Sequence, residues 1–85
     1  MAQQMRAASV SVASNIAEGC GRGTIPDYRR FVLQARGSAY ELETQTEIAK
    51  QVGLMNEADA DQLTAAIAEV NRLINGIIRE LNSRL

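Results

Sequence analysis

Two stretches of the chain repeat core-type positions in alternating steps of four and three. Phe31, Ala35, Ser38, Leu42, Gln45, Ala49 and Val52 make the first, and Leu63, Ile67, Val70, Ile74, Ile77 and Leu81 make the second. That heptad spacing belongs to long helices packed lengthwise on one another, and it sets the fold class as all-α. Pro26 stands near the first position of one helix, where a missing N–H costs nothing. Gly53 stops that helix, and Asn56 with Asp59 three residues on resembles a capping box for the next. Helices over about 26–52 and 57–83 follow, each a rod of about 40 Å at 1.5 Å per residue.

The preceding segment predicts a shorter helix over about 2–18, roughly 26 Å long. Met5, Ala8 or Ser9, Val12 and Ile16 recur at helical spacing, and most other positions are small, among them Ala7, Ser11, Ala13, Ser14 and Ala17. Gly19, Gly21 and Gly23 are expected to end it through a left-handed C-cap. The expectation is one domain over residues 1–85, an antiparallel up-and-down bundle of three helices. The last helix is apolar on a second side, through Leu73, Ile78 and Leu85, so it is too widely apolar for one neighbour. A fourth helix or a neighbouring subunit is needed to cover it.

Composition narrows the chemistry. The 85 residues include no histidine and one cysteine, Cys20. The usual zinc, di-iron and haem sites and the common histidine base are therefore absent. A lone cysteine also excludes an intrachain disulfide or a cysteine cluster. We expect no metal, no cofactor and no enzymatic activity. No run approaches the roughly 18 apolar residues that cross a bilayer, and the first residues lack the apolar core of a signal peptide. With Cys20 between two glycines and no disulfide framework, a cytoplasmic location is expected.

Charge is placed unevenly. Residues 1–36 carry five Arg against Glu18 and Asp27, residues 37–69 carry seven acids against Lys50, and residues 70–85 carry three Arg against Glu80. Arg is the type suited to bidentate phosphate contact, so Arg6, Arg22, Arg29, Arg30 and Arg36 are candidate nucleic-acid contacts. Arg29 and Arg36 lie seven apart on one stripe, as do Arg72 and Arg79. A sequence pI of 5.3 opposes generic nucleic-acid binding, so any contact requires local clustering. The only aromatics interspersed with these arginines are Tyr28 and Phe31, too few to indicate base stacking. The glycines around Cys20 lack the Gly-Lys-Ser/Thr of a P-loop and read as a connection.

A second group is polar and lies on helix faces that include seam positions. Asn15 and Glu18 on the first helix, with Ser38, Glu41 and Gln45 on the second, predict a buried hydrogen-bond network fixing register. The competing reading is a carboxylate site of Glu18 and Glu41, serving a small metal-binding or hydrolytic enzyme. It lacks the Glu-x-x-His ligands of a di-iron bundle.

Two strings, Gln4-Met5-Arg6 through Asn15-Ile16-Ala17-Glu18-Gly19 and Phe31 through Gly37-Ser38-Ala39-Tyr40-Glu41-Leu42-Glu43-Thr44-Gln45, carry a resemblance. They resemble the four helix bundle protein family, named for the protein encoded in intervening sequences of bacterial 23S ribosomal RNA genes. Ala7 stands where that family usually has a second Arg, and family members begin with a further helix before the first string. The resemblance therefore implies three helices of a four-helix pattern, with the first helix lacking. Relatives in diversity-generating retroelements, the accessory variability determinants, form five-fold barrels that bind nucleic acid and a reverse transcriptase. What this implies is a homo-oligomer, a pentamer, acting as scaffold or accessory with nucleic acid or a nucleic-acid-processing partner. A truncated remnant without activity is the other reading.

Overall fold

The computed structural model describes residues 1–85: three α-helices and no strand, in a rod measuring 44 × 21 × 13 Å. Helix α1 spans Ala2–Cys20, α2 spans Ile25–Gln51 and α3 spans Glu57–Ser83. Each long helix begins at a side-chain cap, Asn56 as expected and Thr24 in addition. Thr24 accepts a hydrogen bond from the Asp27 N–H at 3.4 Å, ahead of Pro26 in the first turn of α2. The Asn56 side chain accepts from the Asp59 N–H at 2.8 Å and donates to the Asp59 carboxylate at 3.1 Å.

The first turn differs from expectation. Helix α1 continues through Gly19 to Cys20, and Gly21 caps it with right-handed geometry, at φ −83°. Only Gly23, at φ 85°, adopts the left-handed conformation expected of the three glycines. Gly19 is needed for a different reason. A Cβ there would lie 2.9 Å from Phe31 Cβ and 2.9 Å from a ring carbon of Tyr28. The end of α1 rests directly on the backbone of α2.

Helix α2 is the central element, and α1 and α3 pack on it from two sides. No Cα of α1 comes within 8 Å of one in α3. The larger core cluster joins Val32, Ala35 and Ala39 of α2 to Ile74, Ile78 and Leu81 of α3, with Val12 and Ile16 of α1 against it. A smaller one joins Ala8, Leu42 and Ile67. The expected seams hold in part, with Phe31, Ala35, Leu42 and Ala49 of α2 and Ile67, Ile74 and Leu81 of α3 buried as their spacing predicts. The buried line of α3 runs through Ala60, Ile67, Asn71, Ile74, Ile78 and Leu81, while Val70 is exposed. In α2, Thr46, Ala39 and Val32 are buried and Val52 is exposed. Because the backbones of α1 and α3 stay apart, apolar side chains remain exposed on both, Val10 on α1 and Val70 and Leu73 on α3.

Asn71 sits in the α2-facing line at 8% exposure, and its side-chain carbonyl has no hydrogen-bond partner. An unsatisfied buried acceptor costs about 1–3 kcal/mol. Asn71→Leu is therefore expected to raise stability by about 1 kcal/mol, read as a Tm gain of roughly 4–8 °C. Thr46→Val should change little by the same measurement. Its buried hydroxyl already donates to the Leu42 carbonyl at 2.8 Å, and removing donor and need together is near neutral.

Candidate nucleic-acid interface

Three polar contacts set the register of α2 against α3 along its length. Arg29 Nε donates to Asn82 Oδ1 at 2.6 Å, Arg36 donates to Asn75 Oδ1 at 3.1 Å, and Lys50 meets Asp61 at 3.2 Å. The antiparallel fold brings the two positive segments of the sequence to the same end of the rod. The half built from residues 11–36 and 70–85 holds seven Arg against Glu18, Asp27 and Glu80, a side-chain charge of +4. The half built from residues 1–10 and 37–69 holds seven acids against Arg6 and Lys50, a charge of −5. A chain of net charge −1 thus folds into a strongly dipolar rod.

Within the basic half the arginines divide into two kinds. Arg22 pairs with Glu18 at 3.4 Å and Arg30 with Asp27 at 3.7 Å. Both guanidinium groups also cover the Phe31 ring, at 5.0 and 4.4 Å from its centre. Their charge is matched locally, and the ring they cover is buried. Arg72 and Arg84 are likewise paired, with Glu69 and Glu80.

Arg29, Arg36 and Arg79 have no carboxylate partner. The first two are held by the neutral amides of Asn82 and Asn75, which orient a guanidinium without cancelling its charge. Arg79 lies on α3 between those two asparagines in helical register, and a terminal nitrogen of its side chain lies 3.8 Å from where a Cβ of Gly76 would stand. These three uncompensated charges occupy one edge of the α2–α3 pair, with Arg29 and Arg36 about 10.5 Å apart along the helix axis. Arg6, also without a carboxylate, lies on α1 in the acidic half.

The polar residues assigned to one network separate into three local groups. Ser38 shares a 2.7 Å hydrogen bond with Ser11 across the α1–α2 contact, and Asn15 donates to the Ser11 hydroxyl at 3.1 Å and to its carbonyl at 2.8 Å. Half-buried Gln45 donates to exposed Glu41 at 3.1 Å while its own carbonyl is buried without a partner, and Glu18 is held by Arg22. Ser11, absent from the expected set, is the link that joins the helices. At the α1–α2 connection, a hydrogen bond with Cys20 foremost, and burial second, raises the Tyr28 phenol above its ordinary pKa.

Residues 1–76 match the family described as 23S rRNA-intervening sequence protein. The chain belongs to that family. A search of curated proteins returns no match. In this intervening sequence protein, Glu18 and Glu41 do not converge. Since Ser11 faces Ser38, Glu41 lies opposite a position about ten residues before Glu18, or about 15 Å along the helix. No three Cys, Asp or Glu side chains gather as a metal-binding group, and no helix is long and apolar enough to cross a membrane. The site residue missing from the sequence-based set is Arg79. Its signal was the matched spacing of seven in Arg29/Arg36 and Asn75/Asn82, which only an antiparallel register brings together.

Proposed function

We propose that this intervening sequence protein is a non-enzymatic helical scaffold or accessory protein whose basic end holds nucleic-acid phosphate. The observation that carries the reading is the edge formed by Arg29, Arg36 and Arg79, three guanidinium groups free of carboxylates and two of them oriented by amides. Arginine in that state keeps its charge and free N–H donors for a phosphate oxygen. The separation of charge explains how an acidic chain can do this: the −5 half is held away from the polyanion while the +4 half approaches it. Phosphate contact of this kind positions the ligand and carries no base specificity.

Binding of a short fluorescent DNA duplex at low salt tests the reading. Replacing Arg29, Arg36 and Arg79 together by alanine is expected to weaken affinity at least about tenfold, because phosphate contacts dominate nonspecific affinity. Replacing Arg22 and Arg30, whose charges are already paired, should have a much smaller effect. Equal losses from the two variants would contradict the assignment.

A further inference from the structure

We infer that Tyr40 extends the arginine edge as a stacking position for an unpaired base, which directs the edge toward single-stranded nucleic acid. The inference rests on the phosphate reading above and names the class of nucleic acid. Arg29, Arg36 and Tyr40 follow one another on α2 in steps of seven and four, which sets all three on one stripe of the helix. The contacts of Arg29 with Asn82 and of Arg36 with Asn75 place that stripe along the edge where α2 meets α3. Tyr40 therefore stands one turn past Arg36, about 6 Å along the axis. One nucleotide spans that distance between its phosphate and its base.

Of the three aromatic side chains, only Tyr40 offers an open ring. Phe31 is 9% exposed and covered by Arg22 and Arg30, and Tyr28 is half-buried and hydrogen-bonded with Cys20. Tyr40 is 47% exposed, and no cation lies over it. Such a ring is a platform for any base, because every base has a π-face. Charge at this position favours a base over a phosphate. Glu43, the next turn of α2, opens the acidic half and repels phosphate, yet leaves a neutral base unopposed. In a fully paired duplex the bases already stack on one another, so Tyr40 adds nothing there to the arginine contacts.

Fluorescence anisotropy with a short single strand and with a duplex of the same length, at low salt, tests the stacking. Tyr40→Ala is expected to weaken single-strand binding about fivefold or more, the usual worth of one base stacked on an aromatic ring. Its duplex affinity should match the parent's, and its salt slope on the single strand should be unchanged, because no charge is lost. Tyr40→Phe keeps the ring and should bind the single strand as the parent does. Tyr40→Gln, which removes the ring and keeps good helix propensity, replaces the alanine variant if that one loses helicity. Equal losses on single strand and duplex, no loss on the single strand, or equal weakening by Tyr40→Phe would overturn the inference. If the Arg29, Arg36 and Arg79 triple alanine loses single-strand affinity while Tyr40→Ala keeps it, the stacking fails and the phosphate reading stands. A triple variant that binds as the parent does removes both.

Discussion

Gly19→Ala is expected to destabilise the protein by about 1–3 kcal/mol, the usual cost of forcing volume into a packed contact. In a helix interior the same change ordinarily stabilises by about 0.8–1 kcal/mol. Here the new methyl would meet the Cβ of Phe31 at 2.9 Å, an atom fixed to the α2 backbone that no rotamer change can move. Gly37 gives the matched comparison. It lies inside α2 with nothing within 4 Å of an added Cβ, so Gly37→Ala should gain about 0.5–1 kcal/mol. Chemical denaturation of the two variants checks the pair. Opposite signs are expected, and a stabilised Gly19→Ala would mean that α1 does not rest on α2 at this point.

Ile74→Ala should have the largest effect of any single truncation, about 2–5 kcal/mol. Ile74 is 1% exposed and belongs to the six-residue cluster that joins α2 to α3. A chain of this length is stable by only about 4–13 kcal/mol in total, at 0.05–0.15 kcal/mol per residue. The substitution thus removes a large share of what holds α3 in place. Leu85→Ala removes the same kind of side chain from a position 67% exposed, and should fall within about 0.5 kcal/mol of the parent. Thermal unfolding followed by circular dichroism separates the two. Similar losses would place the core elsewhere than on the α2–α3 seam.

The fold was legible where one helix has one dominant neighbour. The start at Pro26, the cap at Asn56, the stop at Gly53 and the two long helices all follow from local rules about φ, N–H satisfaction and apolar spacing. Reading failed where a residue serves a contact distant in sequence. Gly19 looked like a helix terminator because glycine commonly ends helices, yet it is a point of close approach to Phe31. The expected α3 seam holds at Ile67, Ile74 and Leu81, while Asn71 and Ile78 take the buried places expected of Val70 and Ile77, because a helix apolar on two sides offers two overlapping heptad lines and the contact with α2 selects between them.

The candidate site shows the same division. Arginine content and spacing identified Arg29 and Arg36, but Arg22 and Arg30 looked equivalent until Glu18, Asp27 and Phe31 were seen to occupy them. The uneven charge along the sequence was visible as three blocks. Its consequence, one positive and one negative end, depends on the antiparallel return of α3 beside α2.

The salt dependence of duplex DNA binding shows whether these three arginines hold phosphate. With three phosphates engaged by Arg29, Arg36 and Arg79, the logarithm of the association constant should fall against the logarithm of salt with a slope of about −3. The triple alanine variant should lose most of that slope, and the Arg22→Ala, Arg30→Ala variant should retain it. An unchanged slope in the triple variant, or no binding by the parent chain at low salt, would contradict the account.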